Sequence, residues 1–481
     1  MVMETIGSSE DIAQENEDIR RVYPDFSESI SLKLGFFSKR FRTLRGLATA
    51  RDDEFLGYAI VKRDRLPRSE RAVRVYESVL RPSRHPNNYI HRSQGWTCRL
   101  AERDFVVDGY LYAQQNNLTN VCAHVALRTA AAPFHSEGDM LYREMNSLAG
   151  IELGPGEGQR ARGLDVREMV GILEAAGARC FVADYTQTTH DRQGIPFQKY
   201  VYGSVESGFP AIVGFSASED RGRHAIPLFG HTFNEDTWVP KAELSYFRVG
   251  DEISYVPSES WVSMYIAHDD NWGSNFCIPR GYLHLQRWCG RLAQGGEPCP
   301  IEDEQVACAI GTMPGDVRLN PIEAEVIGAD YLFSMLPRVS DLPEPWAHRL
   351  DWYARNSRLV LRPLLVERER YCEHLRAVTS WDGGTVEAGL VDVLARQLPM
   401  RFWLVELSVP ELYSANRRKI AEVLLRSDTP PKRKREMGSF ILARLPGDFV
   451  LHESGGAKNP KYRFLDCGCH GHVELLGCEN G

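Results

Sequence analysis

The stretch YAQQNNLTNVCAHVALRTA (112–130) sets one thiol, Cys122, between a run of side-chain amides and an apolar segment with helical periodicity. A thiol attacks a carbonyl as its thiolate, and the amino end of a helix beside an imidazolium favours that ionised form. The oxyanion left by the attack needs donors, ordinarily the nucleophile's own backbone N–H and a side-chain amide. Gln115, seven residues before Cys122, can supply the amide, with Gln114, Asn116 and Asn117 as neighbouring competitors. By itself Cys122 reads as a small buried hydrophobe. Two later segments change that reading. His224 opens the apolar run RHAIPLFG (223–230), and in YIAHDDNWG (265–273) a strand ends in Asp269 and Asp270. A base and its orienting carboxylate at adjacent strand ends are what a cysteine nucleophile requires.

Rival assignments exist. Asp269 is preferred to Asp270 because a glycine, Gly273, follows it by four residues. His231 is an alternative base, with Asn234 or Asp236 as its orienter, but His224 and not His231 starts the apolar run before a glycine. His124, two residues after Cys122, turns away from it on a helix and reads as a polar helix residue; His268 alternates to the other face of its strand. Near the end of the chain, LDCGCHGHVELLGC (465–478) offers Cys467, Cys469, His470, His472 and Cys478 as ligands for a tetrahedral zinc. That spacing departs from paired C-x₂-C, so free thiols beside strand residues are the simpler reading, and no metal or cofactor is expected. Cys277, Cys289, Cys299 and Cys308 are spaced too irregularly to nominate.

The elements that must position these groups can be read in outline. Residues 1–28 are polar and acidic, a loose tail or surface helix; 29–105 hold short β-rich runs such as FLGYAIVKR and RAVRVYESVL. Within 106–280, CAHVALRTAAA and GLDVREMVGILEAAG have helical spacing, ARCFVADY reads as a strand, and QKYVYGSVESGFPAIVGF as helix, turn and strand. HAIPLFG and WVSMYIAHDD are further strands, so a helical lobe leads into an antiparallel sheet. Residues 281–360 read as mostly helical and 361–481 as mixed α/β, with strands MRFWLVELSV and GSFILARLPGDFVLH. The run PPKRKRE (430–436) reads as a solvated loop.

The bulk numbers exclude several classes. A chain of 481 residues, 43% hydrophobic and 25% charged, exceeds one ordinary core and is not fibrous or disordered. A net charge of −8 gives no general attraction to nucleic acid. The acidic start lacks the order of a signal peptide and no apolar run is long enough to span a bilayer, so a cytoplasmic protein away from membranes is expected. Eleven scattered cysteines read as reduced thiols.

Gln115, Cys122, GFPAIVGF (208–215), HAIPLFG (224–230) and DDNWG (269–273), in that order, resemble the papain-like cysteine peptidases, in particular the bacterial double-glycine-leader peptidases and their stand-alone relatives. The resemblance covers about residues 106–280, a little over a third of the chain. It implies an α+β papain-like core with Cys122 as nucleophile, His224 as general base and acid, Asp269 as orienter and Gln115 in the oxyanion hole. The sequence departs from the family in having Val121, not a small residue, before the nucleophile, and 44 residues between His224 and Asp269 where a tight hairpin is usual. The expected activity is cleavage of a peptide or isopeptide bond in a protein or peptide substrate, with flanking regions available to a protein partner. Transglutaminase-type or deamidating acyl transfer on the same triad, and a catalytically silent scaffold, are the alternatives.

Overall fold

The computed structural model describes residues 1–481 apart from 8, 28–29, 65–72, 83–87, 90–93, 156–161, 186–196, 217–222, 235–254, 281–305, 341–343, 430–438, 455–460 and 479–481. Asp236, Cys289, Cys299, the run 430–436 and residues 235–254 of the segment between His224 and Asp269 fall outside the described residues. The chain divides into two units. One comprises Met1–Phe197, Gly208–His231 and Met264–Pro314; the other comprises Gln198–Ser207, Thr232–Ser263 and Gly315–Gly481. The architecture is mixed α+β with largely antiparallel sheets.

In the first unit the N-terminal residues are not a loose tail. Val2–Ile6 is an edge strand paired with Ile30–Phe37, and Glu10–Val22 is a helix opened by Ser9, whose Oγ accepts from the Ile12 N–H. Ile12 and Ile19 are buried on one face of it, and so is Glu15. Glu15 Oε2 meets Lys62 Nζ at 2.5 Å and Arg74 Nη2 at 2.6 Å. These partners come from two distant strands, so the charge pattern of the helix alone gives no sign that it is buried. The strands Val2–Ile6, Ile30–Phe37, Phe55–Arg63, Arg74–Leu80 and Leu111–Tyr112 form one sheet in that order. The last of them runs directly into the amide-rich loop before Cys122.

Three helices follow, Cys122–Ala131, Tyr142–Leu148 and Val166–Ala175. The last is set by a capping box, in which Asp165 and Glu168 each accept from the other's backbone N–H at 2.9 Å. Alanines at 123, 126, 130 and 131 let the first helix pack closely on Met169, Ile172 and Leu173 and on the sheet residues Ile212, Ala225 and Ile310. That sheet has the order Gly273–Pro279, Val262–Asp269, Arg223–Phe233, Ala211–Ser216, Val306–Pro314, Ala178–Asp184. Val306–Pro314 lies in the stretch expected to be helical. Its sequence VACAIGTMP is a short, nearly continuous apolar run, the pattern of a strand buried on both faces, and all but its first two residues are buried. The sheet therefore extends beyond residue 280.

The second unit holds the helices Phe197–Glu206 and Pro321–Ser340 and a seven-stranded sheet. Four of its strands, Leu359–Glu367, Arg401–Ser408, Ala421–Arg426 and Phe440–Leu445, align Arg362, Glu406, Glu422 and Arg444 in register across the sheet. All four are buried, and Lys419 sits between the two glutamates, 2.6 Å from Glu406 and 2.5 Å from Glu422. Arg362 also reaches Glu206 at 2.5 Å. Glu422 is held down at about 2: burial opposes its ionisation and is outweighed by Lys419 and Arg444.

Candidate active site

The nucleophile loop is organised by two asparagines. Asn116 Oδ1 accepts from the N–H groups of Leu118 and Thr119 at 2.8 Å and of Asn120 at 3.3 Å, and its own N–H donates to Asn120 Oδ1 at 2.8 Å. Asn117 takes the left-handed conformation, φ 63°, that asparagine tolerates. The loop ends at Val121 and the helix begins at Cys122, so the thiol stands on the first turn, where backbone N–H groups lack intrahelical acceptors. His124 completes this start from inside. Its Nδ1 accepts from the Val121 N–H at 3.3 Å while Nε2 faces Asn146 Oδ1 at 2.9 Å. Asn146 in turn donates to the Thr119 carbonyl at 2.9 Å. Burial drives His124 down to about 4, so this polar helix residue is a buried, neutral cap.

His224 enters from the strand Arg223–Phe233, paired opposite Phe215, whose ring meets it edge-on. The half-buried Cys122 thiol lies 3.8 Å from the Arg223 carbonyl, next to His224 in the chain, and is near enough to the ring to favour its charged form. His224 Nε2 is 3.4 Å from Asp269 Oδ1 and 3.5 Å from Asp270 Oδ1. Neither oxygen is aligned as a hydrogen bond to the ring, so the association is that of an ion pair. Burial opposes charging the ring, and is outweighed by Asp269, by Cys122 and by Asp270, which together raise His224 to about 10. The resting ring is an imidazolium beside a sulfur.

The turn holding the carboxylates is built for one conformation. Asp269 Oδ1 accepts from the N–H of Asn271 at 2.8 Å and of Trp272 at 3.3 Å, and Gly273, at φ 126°, pairs back with Asp269. That φ is the reason for a glycine four residues after Asp269. The choice between Asp269 and Asp270 dissolves, since both flank the ring. Donor atoms of His224, Asp269 and Asp270 lie within 4.8 Å of one another, a spacing that a metal ion also tolerates. Here the imidazolium itself supplies the positive charge between the two carboxylates.

The remaining candidates sort by their bonds. Gln114 is committed at both ends of its amide, to the Val75 N–H at 2.8 Å and to the Asp270 carbonyl at 3.2 Å, and Asn116 is consumed by its loop. Among the described residues the half-buried Gln115 makes no side-chain hydrogen bond, which leaves its amide available to a substrate. His231 stands seven residues along the strand from His224, about 23 Å at strand rise and on the opposite face. It is buried and stacked on Tyr89, ring centroids 5.1 Å apart. Asn234 donates its backbone N–H to the Trp261 carbonyl at 2.8 Å. His268 is held between the Tyr110 carbonyl and the Asn275 N–H, both at 3.1 Å, and burial lowers it to about 4.

The zinc candidates near the C-terminus do not converge. Cys467 and Cys469 are buried with their thiols on the backbone carbonyls of Cys469 and Gly384, His470 is exposed, His472 faces Arg418 and Glu344, and Cys478 packs beside an apolar cluster containing Tyr413. Among the described residues no helix is long and apolar enough to cross a membrane. No family model, no curated protein and no solved structure matches the chain, so the reading of this site rests on its geometry.

Proposed function

We propose that the chain is a cysteine hydrolase with a papain-like catalytic core, cleaving a peptide or isopeptide bond through a thioester on Cys122. The observation that carries this reading is one ring shared by three groups: His224 faces the Asp269 and Asp270 carboxylates and stands near enough to the Cys122 thiol for the thiol to favour its charged form. With Nε2 turned to the carboxylates, Nδ1 is the nitrogen left for the sulfur. A cationic ring favours the thiolate, which attacks the substrate carbonyl carbon. The Cys122 N–H and the Gln115 amide receive the oxyanion. His224 then gives its proton to the departing amine, and the neutral ring takes one from the water that hydrolyses the thioester, which restores the ion pair. A reducing compartment such as the cytoplasm keeps such a thiol active, and the nine described cysteines are all free.

The test is an electrophilic peptide probe applied to the native protein, to Cys122→Ala and to His224→Ala, read by intact mass. One adduct on Cys122, lost in the first variant and strongly slowed in the second, is expected. Labelling of Cys122 no faster than of the buried cysteines would leave a silent scaffold. Release of ammonia from a protein glutamine, without chain cleavage, would move the same thioester chemistry to a side-chain amide.

A further inference from the structure

Gln114 bridges two parts of the first unit that are otherwise far apart in sequence. Its backbone N–H donates to the Val75 carbonyl at 2.8 Å, its Oε1 accepts from the Val75 N–H at 2.8 Å, and its Nε2 donates to the Asp270 carbonyl at 3.2 Å. Val75 belongs to the strand Arg74–Leu80, paired with Val61 in the N-terminal sheet. The amide cannot be flipped without facing an oxygen with an oxygen and an N–H with an N–H. Bonds within the acid turn, from Asn271 and Trp272 to Asp269, fix its shape, but the Gln114 amide ties it to a separate sheet.

We propose that Gln114 is a positioning residue that anchors the turn bearing Asp269 and Asp270 to the N-terminal sheet and so keeps both carboxylates against His224. This rests on the thiol–imidazole reading of the site. It also gives the N-terminal strands a part in catalysis, since Val75 is the fixed point against which the acid turn is held. Among the described residues, the groups facing the His224 ring are Cys122 from the helix, Asp269 and Asp270 from the turn, and the uncharged Phe215 ring from the neighbouring strand. A displaced turn therefore shows itself in the ionisation of His224.

The experiment compares wild type, Gln114→Glu and Gln114→Leu. Gln114→Glu keeps an acceptor for the Val75 N–H and sets an oxygen against the Asp270 carbonyl; Gln114→Leu removes both bonds. The readout is the ratio of Cys122 alkylation by iodoacetate to that by iodoacetamide as pH rises, because the anionic reagent is favoured only while His224 is charged. Both variants should lose that preference about one pH unit earlier than wild type and turn over on the order of tenfold more slowly. A folded Gln114→Glu protein with the wild-type midpoint and turnover would overturn the proposal. If neither variant folds, the Gln114 side-chain NH₂ resonances of the unaltered protein decide it: they should shift as His224 titrates, and their indifference would sink the proposal. Failure of the underlying reading is separate, because the wild-type protein would then show no preference for iodoacetate at Cys122 at all.

Discussion

Replacing Asp269 by asparagine tests the charge balance at His224 with little change of shape, because an amide oxygen still accepts from Asn271 and Trp272. Each carboxylate oxygen, 3.4 or 3.5 Å from Nε2, attracts the imidazolium by about 5 kcal/mol at an effective dielectric of about 20. Burial of the ring works against both, and Cys122 adds to them. The balance raises His224 from 6.5 to about 10, a net preference for the charged ring of about 5 kcal/mol. In Asp269→Asn one carboxylate attraction is gone while those of Asp270 and Cys122 and the burial penalty stay, so the ring should lose its proton about one to three pH units earlier. The assay is alkylation of Cys122 by iodoacetate and iodoacetamide across pH, quantified by peptide mass spectrometry. In wild type the preference for the anion should persist until the pH nears 10. Stability follows the same sign. The raised ring stabilises the native state fully below 6.5, and that contribution is lost as pH rises through about 10, so alkaline melting curves of wild type and variant should converge at high pH. An unchanged alkylation midpoint in a folded Asp269→Asn protein would refute the ion-pair account.

Other perturbations probe the scaffold. Glu15→Gln leaves the buried Lys62 and Arg74 with Asp64 as their remaining carboxylate, 3.1 Å from Arg74, and should cost about 3 kcal/mol in urea unfolding. Burial resists ionising Glu15 and is outweighed by Arg74 and Lys62, which hold it at about 2. Wild type should therefore lose stability as pH falls from 4.5 through about 2, and this part of its acid limb should be missing in the variant. Gly214→Ala brings a methyl within 2.6 Å of Cys308 Sγ and should lower the melting temperature, with Cys308→Ala restoring much of the loss in a double-mutant cycle. Treatment with a strong chelator should leave the melting temperature of the native protein unchanged, since the thiols and imidazoles of 467–478 point to separate partners.

What the sequence disclosed and what it withheld differ in the range of the forces involved. Cys122, His224 and Asp269 each mark an element boundary, and local rules find such places: a helix begins, an apolar run opens, a strand ends before a glycine. Glu15 lay beyond those rules. Its helix looks acidic and solvated because the cations that bury it stand on strands some fifty to sixty residues away. Helical geometry correctly turns His124 away from Cys122, yet its work as a cap depends on an asparagine 22 residues later in another helix. Gln114 and Gln115 are indistinguishable by type, and only distant backbone groups, the N–H of Val75 and the carbonyl of Asp270, separate an anchored amide from an available one. The strand Val306–Pro314 was hidden by its helical neighbours, although its own composition fits a buried strand.

The row of Arg362, Glu406, Glu422 and Arg444 acts as a combination lock on strand alignment. If any one of these strands slid by a single residue, its charge would swing to the other side of the sheet and its former partners would be stranded in a dry interior. Misaligned pairings are thereby made costly, and the four strands are held to one register.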